Sequence, residues 1–264
     1  MKMLVIKCGG STVDVLPSSF FTEIVKLKSN GIHPIIVHGG GPAITELLHT
    51  LDVETVFVNG LRKTTVPVLD VVEMVLSGNV NKLIVRHIIK AGGIALGLSG
   101  VDGMLLKAKP LENSEELGLV GEIFEVNKNL LLTLINEGII PVISPVAVDK
   151  QGQHYNTNAD LAAAAIAKHF QAPLCMVSDV DGVLLNGNVI PTISDLEVTK
   201  LIEEQHITSG MIPKVKAAIS CLKSGVEKVG IVNGSKANLV HKFATGEAVA
   251  GTTFYIEEVL KQHV

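Results

Sequence analysis

The sequence predicts an α/β protein built on a parallel sheet, and three observations carry that prediction. Of its 264 residues 47% are hydrophobic, yet there is no Trp and there are only two Tyr, a composition that suits a buried Val/Ile/Leu sheet better than an antiparallel sandwich. The 25 glycines supply the tight turns that join buried strands to helices. Short apolar runs alternate with stretches of helical period along most of the chain, the pattern of repeated strand–helix units.

The first unit begins at Met3–Lys7, an apolar run that ends in Gly9-Gly10, and the spacing of Phe20, Phe21, Ile24, Val25 and Leu27 predicts a helix after that turn. Pro34–Val37 repeats the run and ends in Gly39-Gly40-Gly41. Pro42 then stands where a first-turn proline belongs, followed by Ile44, Leu47 and Leu48. Helical stretches follow near Val68–Leu76 and Val80–Lys90, then a strand at Ile94–Leu98. Met104–Val126 is glycine-punctuated and mixed, and reads as a hairpin excursion from the sheet. Leu130–Glu137 reads as a helix stopped by Gly138, and Ile139–Val146 as a strand. The second half predicts a helix from Asn158 to Phe170, a strand at Leu174–Val177, helices at Glu197–Gln205 and Pro213–Ser224, and a strand at Lys228–Val232. If the chain has two lobes, they join near Gln171–Pro173, which gives residues 1–172 and 173–264.

Global properties narrow the function. A net charge of −4 with scattered Lys and Arg gives no basic footprint for nucleic acid. Cys8, Cys175 and Cys221 form no C-x-x-C pair, so buried thiols in a reducing, cytoplasmic compartment are expected rather than a disulfide or metal scaffold. No signal-peptide pattern opens the chain and no uncharged apolar run reaches membrane-spanning length. A small anionic ligand is compatible with this balance, because it needs only a few focused cations and backbone N–H groups.

Five segments can carry such chemistry. Lys7-Cys8-Gly9-Gly10-Ser11 puts an ammonium beside unshielded backbone N–H groups, although a strand end and a turn explain it equally. His38-Gly39-Gly40-Gly41-Pro42 lets a ligand approach a helix N-terminus, with a tight turn as the plain alternative and His38 itself read as structural. The same His-Gly-Gly-Gly is found in the oxyanion segment of some hydrolases, but Gly97-Leu98-Ser99-Gly100-Val101 lacks the final glycine of a nucleophile elbow. No Gly-Lys dipeptide and no G-x-G-x-x-G occurs, which removes the P-loop and dinucleotide motifs. Asn156-Thr157-Asn158-Ala159-Asp160 reads as a helix start in which Asn158 caps, leaving the Asn156 amide available to a ligand carboxylate. Ser178-Asp179-Val180-Asp181-Gly182-Val183-Leu184 ends a strand in two carboxylates and, taken alone, reads as an Asp-Gly turn. Ile207-Thr208-Ser209-Gly210-Met211-Ile212-Pro213-Lys214 leads into a helix with a lysine in its first turn, an electrostatically unfavourable place that asks for a reason.

Taken in order, K-x-G-G, H-G-G-G, G-L-R at 60–62, N-x-N-A-D, S-D-V-x-G and G-M-x-x-K resemble the amino-acid kinase family, and the resemblance covers nearly the whole chain. It implies a three-layer αβα sandwich with a central, mainly parallel open sheet. It further implies an N-terminal lobe holding N-acetyl-L-glutamate and a C-terminal lobe holding ATP with Mg²⁺ on its phosphates, in a cytoplasmic homodimer. By position, Lys7 and Lys214 would flank the transferred phosphoryl group, Asp160 would orient both ammoniums, and Gly10 and Gly40 would donate N–H bonds. Gly40, Gly41, Arg62, Asn156 and Asn158 would bind the acceptor. Lys7, Gly9, Ser178, Asp179, Val180, Asp181, Gly182, Val183, Leu184, His206, Ile207, Thr208, Gly210, Met211 and Lys214 would bind the nucleotide. Cys8, Lys63 and Thr65 depart from the commoner family pattern. Arginine-inhibited members carry an extra N-terminal helix, whereas here the first strand begins almost at Met1, so insensitivity to arginine is expected.

Overall fold

The computed structural model describes residues 1–10, 13–112, 114–208, 211–247 and 250–257. One eight-stranded sheet organises them. Its strands in chain order are β1 (Lys2–Cys8), β2 (Ile32–His38), β3 (Ala95–Ser99), β4 (Ile140–Ser144), β5 (Leu174–Ser178), β6 (Thr192–Ser194), β7 (Val229–Asn233) and β8 (Gly251–Tyr255). Across the sheet they lie in the order β6-β8-β7-β5-β1-β2-β4-β3. All pairings are parallel except β7 with β8, so the expected mainly parallel open sheet is present. The chain leaves β1 towards β2 on one side and returns to β5 on the other, which makes the carboxyl end of β1 a topological switch point, where open α/β sheets bind ligands.

Among the described residues the nine principal helices are α1 (Ser18–Ser29), α2 (Gly41–Thr50), α3 (Val66–Glu73), α4 (Asn81–Lys90), α5 (Lys128–Asn136), α6 (Ala159–Phe170), α7 (Asp195–Glu203), α8 (Ile212–Lys223) and α9 (Leu239–Thr245). The period of two along β1 assigns its residues to two cores. Leu4, Ile6 and Cys8 pack with Phe21, Ile24, Val72, Ile84 and Phe243 on the face covered by α1 to α4 and α9. Met3 and Val5 pack with Ala163, Ala167, Val215 and Leu222 on the face covered by α6 and α8. Both cores draw on residues before and after position 172, and the sheet is continuous across that position.

Three expectations change in detail. The stretches near Val68–Leu76 and Val80–Lys90 are joined by a π-helical turn, Met74–Val80, so α3 and α4 form one helical rod without a break; such bulges recur at functional sites. Ile139–Val146 is not one strand, because Pro145 separates β4 from Val146–Val148, which belongs to a second, four-stranded sheet. That second sheet contains the anticipated hairpin, Leu106–Pro110 against Gly121–Val126. Finally, α9 and β8 are additions to the reading of the sequence. Among the described residues no helix is long and apolar enough to cross a membrane.

Candidate active site

Strands β1 and β2 run parallel and in register, with Cys8 opposite His38, so their glycine turns leave the sheet side by side. The Gly39 N–H donates to the Cys8 carbonyl at 3.1 Å. A methyl group on Gly10 would stand 2.6 Å from the Gly40 nitrogen, and one on Gly40 would stand 2.6 Å from Leu76 in the π turn. Glycine at position 10, where the neighbours are backbone, is therefore a steric requirement of the close approach, whereas at position 40 it is the Leu76 side chain that a methyl would displace.

The same alternation that buries Met3 and Val5 sends Lys7 towards α6. Four of the five buried residues of that helix are alanines, which leaves little side-chain bulk between helix and sheet. Asn158 caps α6, its side-chain oxygen accepting from the Asp160 and Leu161 N–H groups at 2.8 and 3.1 Å, as its place before an alanine-rich helix predicts. Asp160 in the first turn then pairs with the Lys7 ammonium at 2.9 Å, both side chains being largely shielded.

Lys214, one residue after Pro213 in the first turn of α8, pairs with Asp179 at 2.6 Å. That bond holds the Asp179 carboxyl below the usual carboxylate range, and the Ser178 hydroxyl adds a bond at 3.0 Å. This also answers why a lysine tolerates a helix N-terminus: its partner is a carboxylate at the end of the neighbouring strand. Of the two ammoniums, Asp160 pairs with that of Lys7, while that of Lys214 pairs with Asp179. Lys7 lies level with Met176 of β5 and the Gly9 N–H donates to Val177, so both ion pairs face the same end of adjacent strands.

Beside the glycine turns is a cavity of about 190 Å³ lined by Gly39–Gly41, Phe57, Arg62, Leu76 and Asn156 among others. A roomier crevice of about 470 Å³ between Gly121–Phe124 and the outer face of α6 holds neither lysine nor the glycine turns; size does not select the site here. Arg62 is buried, stacks on the Phe57 ring at 4.8 Å, and donates through Nη2 to the Gly41 carbonyl and the Thr45 hydroxyl. Its Nη1 is buried and finds no hydrogen-bond partner among the described residues, and burial draws the guanidinium pKa down. A buried cationic donor without an acceptor is costly, and an anionic ligand removes that cost. Asn156 also lines the cavity, with one N–H committed to Thr64 at 3.1 Å, while the Thr64 hydroxyl donates to the Arg62 carbonyl. Asn158 lines it too, but its carbonyl oxygen is committed to capping α6, so it offers only its amide NH₂.

The segment Asp179–Leu184 is braced from behind. Asp181 pairs with Lys236 at 2.8 Å and accepts from Asn233 at 2.8 Å, Gly182 has φ +135°, and the Val183 N–H donates to the buried Thr252 hydroxyl. Val183 and Ile207 are themselves core residues, so only their main chain is open to a ligand. Val180 packs partly on the same core, Leu184 is exposed in a short ribbon with Val189, and His206 is exposed near Glu204. Met211 closes a turn on Thr208. Gly210 lies outside the described residues.

Thr64, Asn81, Asn233, Thr252 and the π turn were beyond the motif reading, since none carries a spacing signal of its own. His38, read as structural, is fully buried; its Nδ1 bonds the Gly39 carbonyl at 2.9 Å and its Nε2 faces the Asn81 amide at 3.2 Å.

The amino acid kinase family model matches residues 2–233. The acetylglutamate kinase of Halalkalibacterium halodurans is 48% identical over 252 residues, covering 95% of each chain. Among solved structures, smu.665 from Streptococcus mutans UA159 superposes with a TM-score of 0.79 at 30% identity over 88% of this chain and 96% of that one. The N-acetylglutamate synthase of Neisseria gonorrhoeae shares the fold alone, with a TM-score of 0.82 at 22% identity over 97% of this chain and 60% of that one. With the switch-point site, its two lysine–aspartate pairs and these relatives in agreement, the chain belongs to the amino acid kinase family.

Proposed function

We propose that this chain transfers the γ-phosphoryl group of ATP to the side-chain carboxylate of N-acetyl-L-glutamate, giving N-acetyl-L-glutamyl 5-phosphate and ADP, the second step of arginine biosynthesis. The observation that carries the acceptor reading is the unpartnered Nη1 of Arg62 in a cavity against the Gly39–Gly41 turn, together with relatives that are acetylglutamate kinases. Arg62 and Asn156 grip the α-carboxylate side, which turns the γ-carboxylate towards the glycine turns. That carboxylate, with a pKa of about 4.3, is already ionised at neutral pH and needs no general base. One of its oxygens forms the new bond to the γ-phosphorus as the bond from phosphorus to the β–γ bridging oxygen breaks, and no proton is exchanged.

The obstacle is the approach of two anions. Lys7 and Lys214, kept in place by Asp160 and Asp179, and the N–H groups of Gly10 and Gly40 stabilise the charge that spreads over the phosphoryl oxygens. Among the described residues no three His, Cys, Asp or Glu side chains converge on a metal position. Mg²⁺ would ride on the nucleotide phosphates, as suits an ion that prefers waters and phosphate oxygens to an all-protein cage, and would supply charge neutralisation there. The nucleotide lies along Asp179–Leu184 in the lobe 173–264 and the acceptor in the lobe 1–172. The homodimer fits the free edge of the sheet at β3, where Ile94 and Leu96 are exposed and Ile89 of α4 lies nearby; an unpaired apolar edge invites a second copy.

The test is ADP release with Mg-ATP and a panel of N-acetyl-L-glutamate, glutamate, aspartate, aminoadipate and carbamate, with hydroxylamine trapping of the acyl phosphate. Turnover selective for N-acetyl-L-glutamate and lost in Lys7→Ala and Lys214→Ala is the expected result. Selective turnover of another acid overturns the substrate, and no turnover with any acceptor overturns the reaction.

A further inference from the structure

We propose that His38 and Asn81 are positioning residues for phosphoryl transfer: the imidazole holds the Gly39 carbonyl, and thereby aims the Gly40 N–H into the site. The proposal rests on the reading that the Gly40 N–H serves the transferred phosphoryl group. Its geometry comes from one peptide unit. The Gly39 carbonyl and the Gly40 N–H belong to the same planar trans peptide, so whatever fixes the direction of the carbonyl fixes the N–H in the opposite direction. The preceding peptide is fixed as well, by the Gly39 N–H donating to Cys8. Glycines offer no side chain to restrain this turn, so the restraint must come from outside it.

The His38 ring supplies it, and the surroundings leave it one protonation state. A carbonyl oxygen can only accept, so Nδ1, 2.9 Å from Gly39 O, carries the hydrogen. Nε2 must then accept, and the Asn81 amide nitrogen faces it at 3.2 Å. That amide cannot turn over: of its two N–H groups one donates to the Val142 carbonyl at 2.9 Å and the other points to Nε2, with the longer Leu98 carbonyl contact at 3.3 Å sharing a hydrogen, while its oxygen takes the Lys82 ammonium at 3.0 Å. Burial, with Lys82 nearby, pushes the His38 pKa down to about 4, which keeps the ring neutral at working pH. Both His38 and Asn81 are wholly buried, and the core around them is aliphatic, so simple packing would be served by apolar residues. The π turn has a reason here too: it packs Leu76 and Val80 against Gly40 and ends where Asn81 reaches the ring.

Two substitutions separate positioning from stability. In His38→Asn the amide NH₂ takes the place of Nδ1 and still donates to Gly39, while Asn81 loses its acceptor. In His38→Gln the amide reaches the place of Nε2 and satisfies Asn81, while the Gly39 carbonyl is left unheld. Each removes one buried hydrogen bond, so each lowers Tm. With N-acetyl-L-glutamate and Mg-ATP, His38→Gln is expected to lose about tenfold or more in kcat with both KM values within about twofold, and His38→Asn to stay within about threefold of the parent kcat. Equal kcat values for the two, or a loss that falls on KM, overturns the proposal. Should either variant fail to fold, nitrogen NMR of the unaltered protein decides: the Nδ1-protonated neutral tautomer is expected at neutral pH, free and with Mg-ADP, and an Nε2-protonated ring or an imidazolium overturns it. Absence of turnover by the parent chain would overturn the kinase reading and this proposal with it, whereas turnover with the wrong variant pattern overturns only this one.

Discussion

Gly10→Ala isolates how much of the rate depends on the contact between the two glycine turns. The new methyl carbon would stand 2.6 Å from the Gly40 nitrogen, 2.8 Å from the Gly41 nitrogen and 3.0 Å from the Gly40 Cα. All three are backbone atoms, so no side chain can swing away, and reaching ordinary contact distance separates the turns by about 0.8 Å. Misplacement of reacting groups by about 1 Å costs on the order of 10²-fold, or about 2.7 kcal/mol in the barrier. The overpacking itself destabilises by about 1–3 kcal/mol. The expected result is a folded protein with a modestly lower Tm and a kcat reduced about 10²-fold, read by ADP release at saturating substrates. Gly78→Ala is the control, since a methyl there meets no atom within 4 Å. A Gly10→Ala enzyme with the parent kcat would refute the argument that the turns must touch.

The Arg62 guanidinium both stacks and donates, which a lysine cannot reproduce. Arg62→Lys should therefore raise the acceptor KM by about 10–100-fold, equivalent to about 1.5–3 kcal/mol for hydrogen bonds to a charged group, with the KM for ATP nearly unchanged in the same assay. Because the Lys214 bond lowers the native pKa of Asp179 below 3.8, its contribution to stability is complete above the unfolded pKa and fades as pH falls through the lowered native value. Lys214→Met should therefore lower stability, followed by circular dichroism in denaturant, at pH above about 5, and by progressively less as pH falls through the lowered native pKa; a loss of the same size at neutral and at low pH would contradict the pairing. Burial pushes the Cys8 and Cys221 thiols up to about 12 and raises Cys175 well above the ordinary thiol value, so none of the three should react with a thiol reagent in the native state and all three should react in urea.

The alternation of apolar runs and helical periods determined the fold class, and the glycine turns after β1 and β2, the Asn158 cap and the first-turn Pro213 were legible because each is a local backbone requirement. Six short motifs in order were enough to place the chain in a family. What only the tertiary structure decided are the pairings between residues distant in the chain. Lys7 meets Asp160 because β1 and α6 share a face of the sheet, and Lys214 meets Asp179 because the first turn of α8 lies beside the end of β5. Helix α9 escaped the sequence for the same reason. Its start has no side-chain cap of its own; Glu23 of α1 accepts from the Asn238 and His241 N–H groups at 2.9 and 2.6 Å instead. The orphaned Nη1 of Arg62 and the His38–Asn81 contact are equally silent in one dimension, because a hydrogen bond leaves a mark on the sequence only when both of its partners lie within a turn of each other.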